Sequence, residues 1–126
     1  MTKERIGFIG VGLMGHGMAK NILAAGFPLT IMGNRNRAPV ESLVASGARE
    51  AKTPKEVAEA SDIVFLCVSD SPTVEGLVLG ANGLKDGAHP GLIIVDCSTA
   101  DPNSTQMLID TLKPLGVTLC DAPLGG

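Results

Sequence analysis

The stretch Arg5–Lys20, RIGFIGVGLMGHGMAK, decides the fold of this chain. It opens with the short apolar run 6–9, which is typical of a strand buried in a parallel sheet. Gly10, Gly12 and Gly15 follow at once, in the spacing G-x-G-x-x-G. The glycines therefore form the turn that leads out of the first strand.

A helix is predicted to start inside the glycine run. Met14, Met18 and Ile22 recur every fourth residue, so one face of the helix is apolar and packs against the sheet. Gly26 stands where a glycine commonly ends a helix. The pattern predicts a helix over residues 16–25.

The order of strand, glycine turn and helix suits the binding of a dinucleotide. Gly10 permits the tight turn, Gly12 lets a pyrophosphate approach the backbone, and Gly15 allows the helix to pack closely on the strand. The N–H groups of Leu13 and Met14, in the first helical turn, would then face the phosphates. The motif alone is weak evidence, but the strand before it and the helix after it strengthen it. The alternative is a glycine-rich turn that binds nothing.

Apolar runs alternate with segments of helical period along the rest of the chain. We predict further strands at residues 29–32, 63–68, 92–96 and 117–120, and a short extended piece at 48–51. Such alternation is typical of an α/β fold with a parallel sheet. The sequence therefore predicts one domain over residues 1–126, a Rossmann-type doubly wound parallel sheet.

Several residues predict where the helices begin and end. Pro39 fits the first position of a helix that Gly47 ends. Thr53 and Glu56 have the spacing of a capping box at the start of the next helix. Pro114 would break the last helix, which we expect to end near Lys113.

Composition and charge exclude several classes of function. The net charge is −3, no basic stripe occurs, and three Phe are the only aromatic residues, so nothing indicates nucleic-acid binding. No apolar run approaches the length of a membrane span. Cys67, Cys97 and Cys120 lack a C-x-x-C spacing, which favours reduced thiols over a metal site or disulfides. We therefore expect a cytoplasmic protein without a bound metal.

Four polar turns are expected on one edge of the predicted sheet. Ligands of such sheets bind at the carboxyl ends of the strands. Those ends lead into Gly10–Gly15, Gly33–Arg37, Val68–Ser71 and Cys97–Thr99. One polar turn means little, because glycine, serine, asparagine and aspartate dominate turns generally. Four of them beside the glycine motif favour a shared site.

The second turn bears on cofactor choice. NAD-selective sites usually carry an acidic residue there, which binds the ribose 2′-hydroxyl. No acid occurs between Lys20 and Glu41, and the turn instead reads Asn34-Arg35-Asn36-Arg37. A guanidinium at this place can pair with a 2′-phosphate, which favours NADP over NAD. The alternative is a solvated basic turn.

Hydroxyl groups follow the strand predicted at 92–96. Ser98 and Thr99 would lie near the nicotinamide ribose or a substrate. They could equally serve to cap the helix that begins after Asp101. The residues alone leave both roles open.

Four segments carry a resemblance to a known family. The run 7–26, GFIGVGLMGHGMAKNILAAG, is similar to the opening of the β-hydroxyacid dehydrogenases, the family of 3-hydroxyisobutyrate dehydrogenase and tartronate semialdehyde reductase. Asn34–Asn36 resembles the N-R-T turn of its NADP-dependent members. Asp96–Thr99 with Pro102 resembles its D-x-S-T/S-x-x-P segment, and 121–124 resembles the start of its D-A-P-V-S-G-G motif. The resemblance covers the whole chain.

The resemblance implies the cofactor domain of an NADP-dependent oxidoreductase. Such enzymes move a hydride between nicotinamide C4 and the β-carbon of a small 3-hydroxy acid or its semialdehyde. By resemblance, Ser98 and Gly125 would contact substrate. The implied cofactor-binding residues are Gly10, Gly12, Leu13, Met14, Gly15, Asn34, Arg35, Asn36, Val68, Ser69 and Thr99. The family's catalytic lysine lies in a helical substrate domain outside this sequence, so we assign no catalytic residue here.

The sequence departs from the family pattern at three places. Gly33 is an extra residue before the Asn-Arg pair, which leaves Arg35 and Arg37 both open as ligands of the 2′-phosphate. Val68-Ser69 replaces the usual Leu-Pro, and Gly125 replaces the serine of S-G-G.

Other functions stay open at the level of sequence. Imine reductases share this domain, whereas 6-phosphogluconate dehydrogenases share the glycine turn but have a different segment after the fifth strand. The alternative from another class is a non-catalytic nucleotide-binding sensor or regulatory module. For the intact enzyme we expect a small hydroxy acid as the substrate partner. A homo-oligomer is compatible with this expectation.

Overall fold

The structure is a computed structural model and describes residues 4–10, 13–32, 37–68, 71–97 and 102–121. The strands are β1 (Ile6–Ile9), β2 (Leu29–Met32), β3 (Arg49–Ala51), β4 (Ile63–Leu66), β5 (Ile93–Asp96) and β6 (Thr118–Asp121). The helices are α1 (Leu13–Ala24), α2 (Arg37–Ala45), α3 (Pro54–Glu59), α4 (Ser71–Leu79) and α5 (Pro102–Leu112). Two short 3₁₀ turns occupy Leu84–Gly87 and Lys113–Leu115.

The six strands form one parallel sheet in the order β3-β2-β1-β4-β5-β6. Every pairing is parallel, and Ile6 at the start of β1 lies opposite both Leu29 of β2 and Ile63 of β4. The chain thus winds outward from β1 to one edge, returns to β4 beside β1, and winds outward to the other edge. The predicted doubly wound Rossmann-type sheet is confirmed.

Alternating side chains of the strands form two apolar cores, one on each face of the sheet. Phe8 belongs to the core beneath α1 and α2, where its ring stacks on Phe65 with centroids 5.9 Å apart. Ile9, the next residue, belongs to the core beneath α3, α4 and α5, together with Val64 and Leu66. Because both faces are covered at the centre, β1 is buried along its whole length, as its apolar sequence predicted.

Glycines end the first two helices, as the sequence predicted. After α1 the N–H of Gly26 donates to Leu23 O at 2.9 Å and the N–H of Phe27 donates to Ile22 O at 3.3 Å. This is the Schellman arrangement, and Gly26 has the positive φ of 89° that it needs. Gly47, with φ 115°, ends α2 in the same way.

The beginnings of the helices are confirmed in one case and corrected in another. The Thr53 side chain accepts from the N–H of Glu56, and the Glu56 carboxylate accepts from the N–H of Thr53, which confirms the capping box of α3. Pro39, however, is the third residue of α2 and not the first, since the helix begins at Arg37. It is tolerated there because N–H groups in a first helical turn have no partner within the helix.

The strand boundaries agree with the prediction apart from small shifts and one addition. The piece at 48–51 contains a true strand, β3, which pairs with β2 at the edge of the sheet. β4 ends at Leu66, two residues before the predicted end at 68. α5 ends at Leu112, and Pro114 lies in the 3₁₀ turn that follows, as expected.

Candidate functional site

The strand order reverses between β1 and β4 at the centre of the sheet. From β1 the chain proceeds to β2 on one side, whereas β4 proceeds to β5 on the other. Connections leave these two strands in opposite directions, which opens a crevice at their carboxyl ends. The residues that follow Ile9 and Leu66 therefore border the site that this fold offers to a ligand.

Gly10 begins that border and can only be a glycine. Its φ is +100°, and a Cβ at this position would overlap the carbonyl oxygen of Cys67. The backbone segments that follow β1 and β4 are held together there, because the N–H of Cys67 donates to Ile9 O at 2.9 Å. The close contact explains physically why the first glycine of the motif follows β1.

The α1 helix begins at Leu13, three residues after Gly10. Its first turn contains the N–H groups of Leu13, Met14 and Gly15, which have no acceptor within a helix. The helix is 12 residues long, and its N-terminus carries the positive end of the dipole. An anion at the carboxyl end of β1 would meet both the N–H donors and the dipole.

The other predicted site residues fall in two groups. Val68 is half-buried and packs against the core beneath α3, α4 and α5, two residues after the end of β4. The rest lie outside the described residues, namely Gly12, Asn34, Arg35, Asn36, Ser69, Ser98, Thr99 and Gly125. The strands that lead into 33–36 and 98–99 are nonetheless described. β2 ends at Met32 beside β1, and β5 ends at Asp96 beside β4.

Asp96 is a site-edge residue to which sequence reasoning assigned no role of its own. It is fully buried at the carboxyl end of β5, opposite Leu66 of β4 and Asp121 of β6. Burial raises the pKa of the neighbouring Cys67 thiol, and the Asp96 carboxylate raises it further. The available signal in the sequence was an acid directly after four apolar residues. Charged side chains are seldom fully buried at such a position unless they are paired.

A separate cavity lies at the amino ends of the strands, away from the crevice. Its volume is about 380 Å³, and it is lined at the amino ends of the strands by residues that include Arg5, Leu29 and Arg49. Arg5 is held there by Asp62 at 3.0 Å, and the hydrogen bond from Arg5 lowers the pKa of the Asp62 carboxyl. Because ligands of doubly wound sheets bind at the carboxyl ends, this cavity is not the candidate site.

Residues 5–126 match the family model described as the NAD binding domain of 6-phosphogluconate dehydrogenase. The chain belongs to this family. It is an NAD(P)-binding domain of the β-hydroxyacid dehydrogenase type, so the family resemblance drawn from the sequence is confirmed.

Three proteins are similar to this chain over part of their own length. The chain is 39% identical to "Cytokine-like nuclear factor N-PAC" of Danio rerio, covering 99% of the chain and 27% of that protein. It is 37% identical to "Probable 3-hydroxyisobutyrate dehydrogenase-like 2, mitochondrial" of Arabidopsis thaliana, covering 99% of the chain and 42% of that protein. The solved structure "Psf3 in complex with NADP+ and 2-OPP" superposes with a TM-score of 0.86 at 29% identity, over 96% of this chain and 43% of that one. The chain thus spans less than half of each relative.

Neither a membrane-spanning helix nor a metal-binding cluster occurs among the described residues. None of the helices there is long and apolar enough to cross a membrane. Within the same ranges, no group of three or more histidine, cysteine, aspartate or glutamate side chains could hold a metal ion.

Proposed function

We propose that this NAD-binding domain holds NADP(H) for an oxidoreductase that acts on a small 3-hydroxy acid or its semialdehyde. The observation that carries the proposal is the contact of Gly10 with the Cys67 carbonyl, at the point where the strand order reverses. A backbone this close to its neighbour, followed at once by a helix N-terminus, suits the pyrophosphate of a dinucleotide.

The adenosine end of the cofactor would lie over the carboxyl end of β2. That strand ends at Met32, and the chain continues with Gly33-Asn34-Arg35-Asn36-Arg37. The absence of an acid and the presence of two arginines support NADP over NAD, since a guanidinium pairs with the 2′-phosphate. A similar protein, Psf3, is described in complex with NADP+.

The nicotinamide end would extend toward β4 and β5. Val68 and Ser69 follow β4, and Ser98 and Thr99 follow β5 by two and three residues. We assign Val68, Ser69 and Thr99 to the ribose and nicotinamide, and Ser98 and Gly125 to the substrate. This domain would position the cofactor and exclude water, while the substrate domain of the intact enzyme would supply the catalytic lysine.

The location and assembly of the intact protein are part of the same proposal. We place it in the cytoplasm, with a small hydroxy acid as its partner and with homo-oligomers as a compatible state. The reduced thiols of Cys67, Cys97 and Cys120 suit a reducing compartment.

A second candidate function has its own observation. The relative in Danio rerio is named as a nuclear factor and is as similar to this chain as the dehydrogenase-like relative is. The domain could therefore serve in a protein that binds the nucleotide without turning over a substrate. Both candidates require cofactor binding, and only the first requires turnover by the intact protein.

The experiment that tests the proposal is a calorimetric titration of the folded domain with NADPH and with NADH. We expect tighter binding of NADPH, by about 10-fold or more, since one charge-assisted hydrogen bond contributes roughly 1.5–3 kcal/mol. We also expect the domain alone to leave 3-hydroxyisobutyrate unchanged, because it carries no assigned catalytic residue. A folded domain that binds neither cofactor would overturn the proposal, and equal affinities would overturn the choice of NADP.

A further inference from the structure

Two cysteines lie side by side at the carboxyl edge of the sheet. The N–H of Cys67 donates to Ile9 O at 2.9 Å, and the N–H of Cys97 donates to Leu66 O at 2.8 Å. In a parallel ladder such bonds place Cys67 opposite Gly10 and Cys97 opposite Cys67. The pairing of β4 with β5, which puts Leu66 opposite Asp96, therefore continues by one residue into a pair of cysteines.

The two thiols also point to the same side of the sheet. Cys67 packs with Phe65 on the core beneath α1 and α2. On β5, Ile94 belongs to the core beneath α3, α4 and α5, whereas its neighbour Ile93 is 36% exposed. Side chains alternate along an extended chain, so Cys97 lies on the same side as Ile93 and Cys67.

The spacing of the two residues suits a covalent link. Neighbouring strands lie about 4.8 Å apart, and bridged cysteines have Cα atoms roughly 4.4–6.8 Å apart. Both residues directly follow the last residue of their strand. Both are present as thiols in this structure.

We propose that Cys67 and Cys97 form a dithiol modification site, which is closed to a disulfide by exchange with a small-molecule disulfide such as oxidised glutathione. Cys67 is the more exposed of the two and its pKa is raised by burial, so in alkaline solution its thiolate attacks one sulfur of the small disulfide and releases one thiolate. The Cys97 thiolate then attacks the Cys67 sulfur of the mixed disulfide and releases the second. Two protein thiols are oxidised to a disulfide, and their two protons pass to the two released thiolates, so that one small disulfide is reduced to two thiols.

The third cysteine provides an internal control. Cys120 is exposed on β6 and lies opposite Val95, two positions away from Cys97 along β5. It is therefore more accessible than Cys67 but has no cysteine directly opposite on β5. Accessibility alone would favour modification at Cys120, whereas the proposed pair requires Cys67 and Cys97.

The experiment treats the folded domain with excess oxidised glutathione until the reaction is complete, and then blocks remaining thiols. Cleavage before aspartate puts each cysteine into its own peptide, 62–69 for Cys67, 96–100 for Cys97 and 110–120 for Cys120. We expect peptides 62–69 and 96–100 to be joined, with the loss of two hydrogen atoms, and Cys120 to carry at most glutathione.

Variants make the outcome decisive. Cys120→Ser should leave the cross-link unchanged, whereas Cys67→Ser and Cys97→Ser should each abolish it and leave a glutathione adduct at most. Phenylarsine oxide, which bridges paired thiols, should bind the wild-type protein and Cys120→Ser and lose at least 10-fold in affinity for the other two variants. Persistent mixed disulfides at Cys67 without a link to Cys97, or a link that involves Cys120, would overturn the proposal.

Discussion

At the scale of single residues, Gly10 is the position where geometry constrains the sequence most tightly. Its φ of +100° disfavours any other residue, and a Cβ would overlap the Cys67 carbonyl oxygen. The contact lies on backbone that cannot move without displacing β4. Gly17, in the exposed part of α1, is a glycine of the opposite kind, since nothing lies within 4 Å of the Cβ it would gain.

Gly10→Ala should weaken both the fold and the binding of NADPH. A side chain in this backbone region costs about 1–3 kcal/mol, and relief of the overlap would displace the first turn of α1 from the phosphates. Thermal unfolding and calorimetric titration measure the two effects. Gly17→Ala is the control, and we expect it to bind NADPH as the wild type does and to gain roughly 0.5–1 kcal/mol of stability. Equal binding by the two variants would show that the turn does not hold the phosphates.

Arg35→Ala should remove most of the preference for NADPH and leave the affinity for NADH nearly unchanged. The 2′-phosphate is the only difference between the cofactors, so the loss is confined to NADPH, at about 10- to 100-fold. The preference of the wild-type protein should also weaken as salt rises, because the arginine would be partly exposed. Arg37→Ala is the matched variant, and a loss confined to it would move the assignment to Arg37.

At the scale of elements, the helices are set by local chemistry that the sequence shows directly. The α3 helix has six residues, begins with a capping box at Thr53 and Glu56, and packs on β1. Gly7 of β1 makes that packing close, because a Cβ there would lie 2.5 Å from Ser61 Oγ and 2.6 Å from Val57 Cγ1. The capping box therefore begins a helix that packs directly on a central strand.

Thr53→Ala should lower the free energy of unfolding by about 1 kcal/mol, the typical effect of losing a helix N-cap. The hydroxyl accepts from the N–H of Glu56 at 3.2 Å, and alanine would leave that donor to water. Chemical denaturation measures the change. Ser46→Ala, after the end of α2 and on the surface, is the control and should change stability by less than about 0.5 kcal/mol. If the two substitutions have the same effect, the capping box does not stabilise α3.

At the scale of the whole molecule, the sheet could be predicted because its central strands are continuous apolar runs. The 3-residue β3 was expected only as an extended piece, since Arg49 and Glu50 are exposed and charged and the strand forms by pairing with β2. The role of Gly7 was also not predicted, because close packing of α3 on β1 depends on residues far apart in the chain. The start of α2 was predicted wrongly from Pro39, because proline is tolerated throughout the first turn of a helix and not at its first position alone.

Only part of the candidate site could be predicted, because some of its features depend on residues far apart in the chain. The position of Gly10 follows from the motif, and the structure shows the backbone contact that requires it. The alignment of Cys67 with Cys97 depends on which strands are neighbours, and no local sequence pattern gives the order of the strands. The roles of Asn34, Arg35 and Thr99 stay predictions.

The most direct test of the account is a map of amide chemical shifts in the folded domain as NADP+ is added. The account predicts that the shifts change at Gly10, Leu13, Met14 and Val68, at the carboxyl edge of the sheet. Arg5, Gly47 and Arg49, which line the cavity at the amino edge, should stay unchanged. Changes confined to the amino edge, or no changes at saturating NADP+, would contradict a dinucleotide site at the carboxyl ends of β1 and β4.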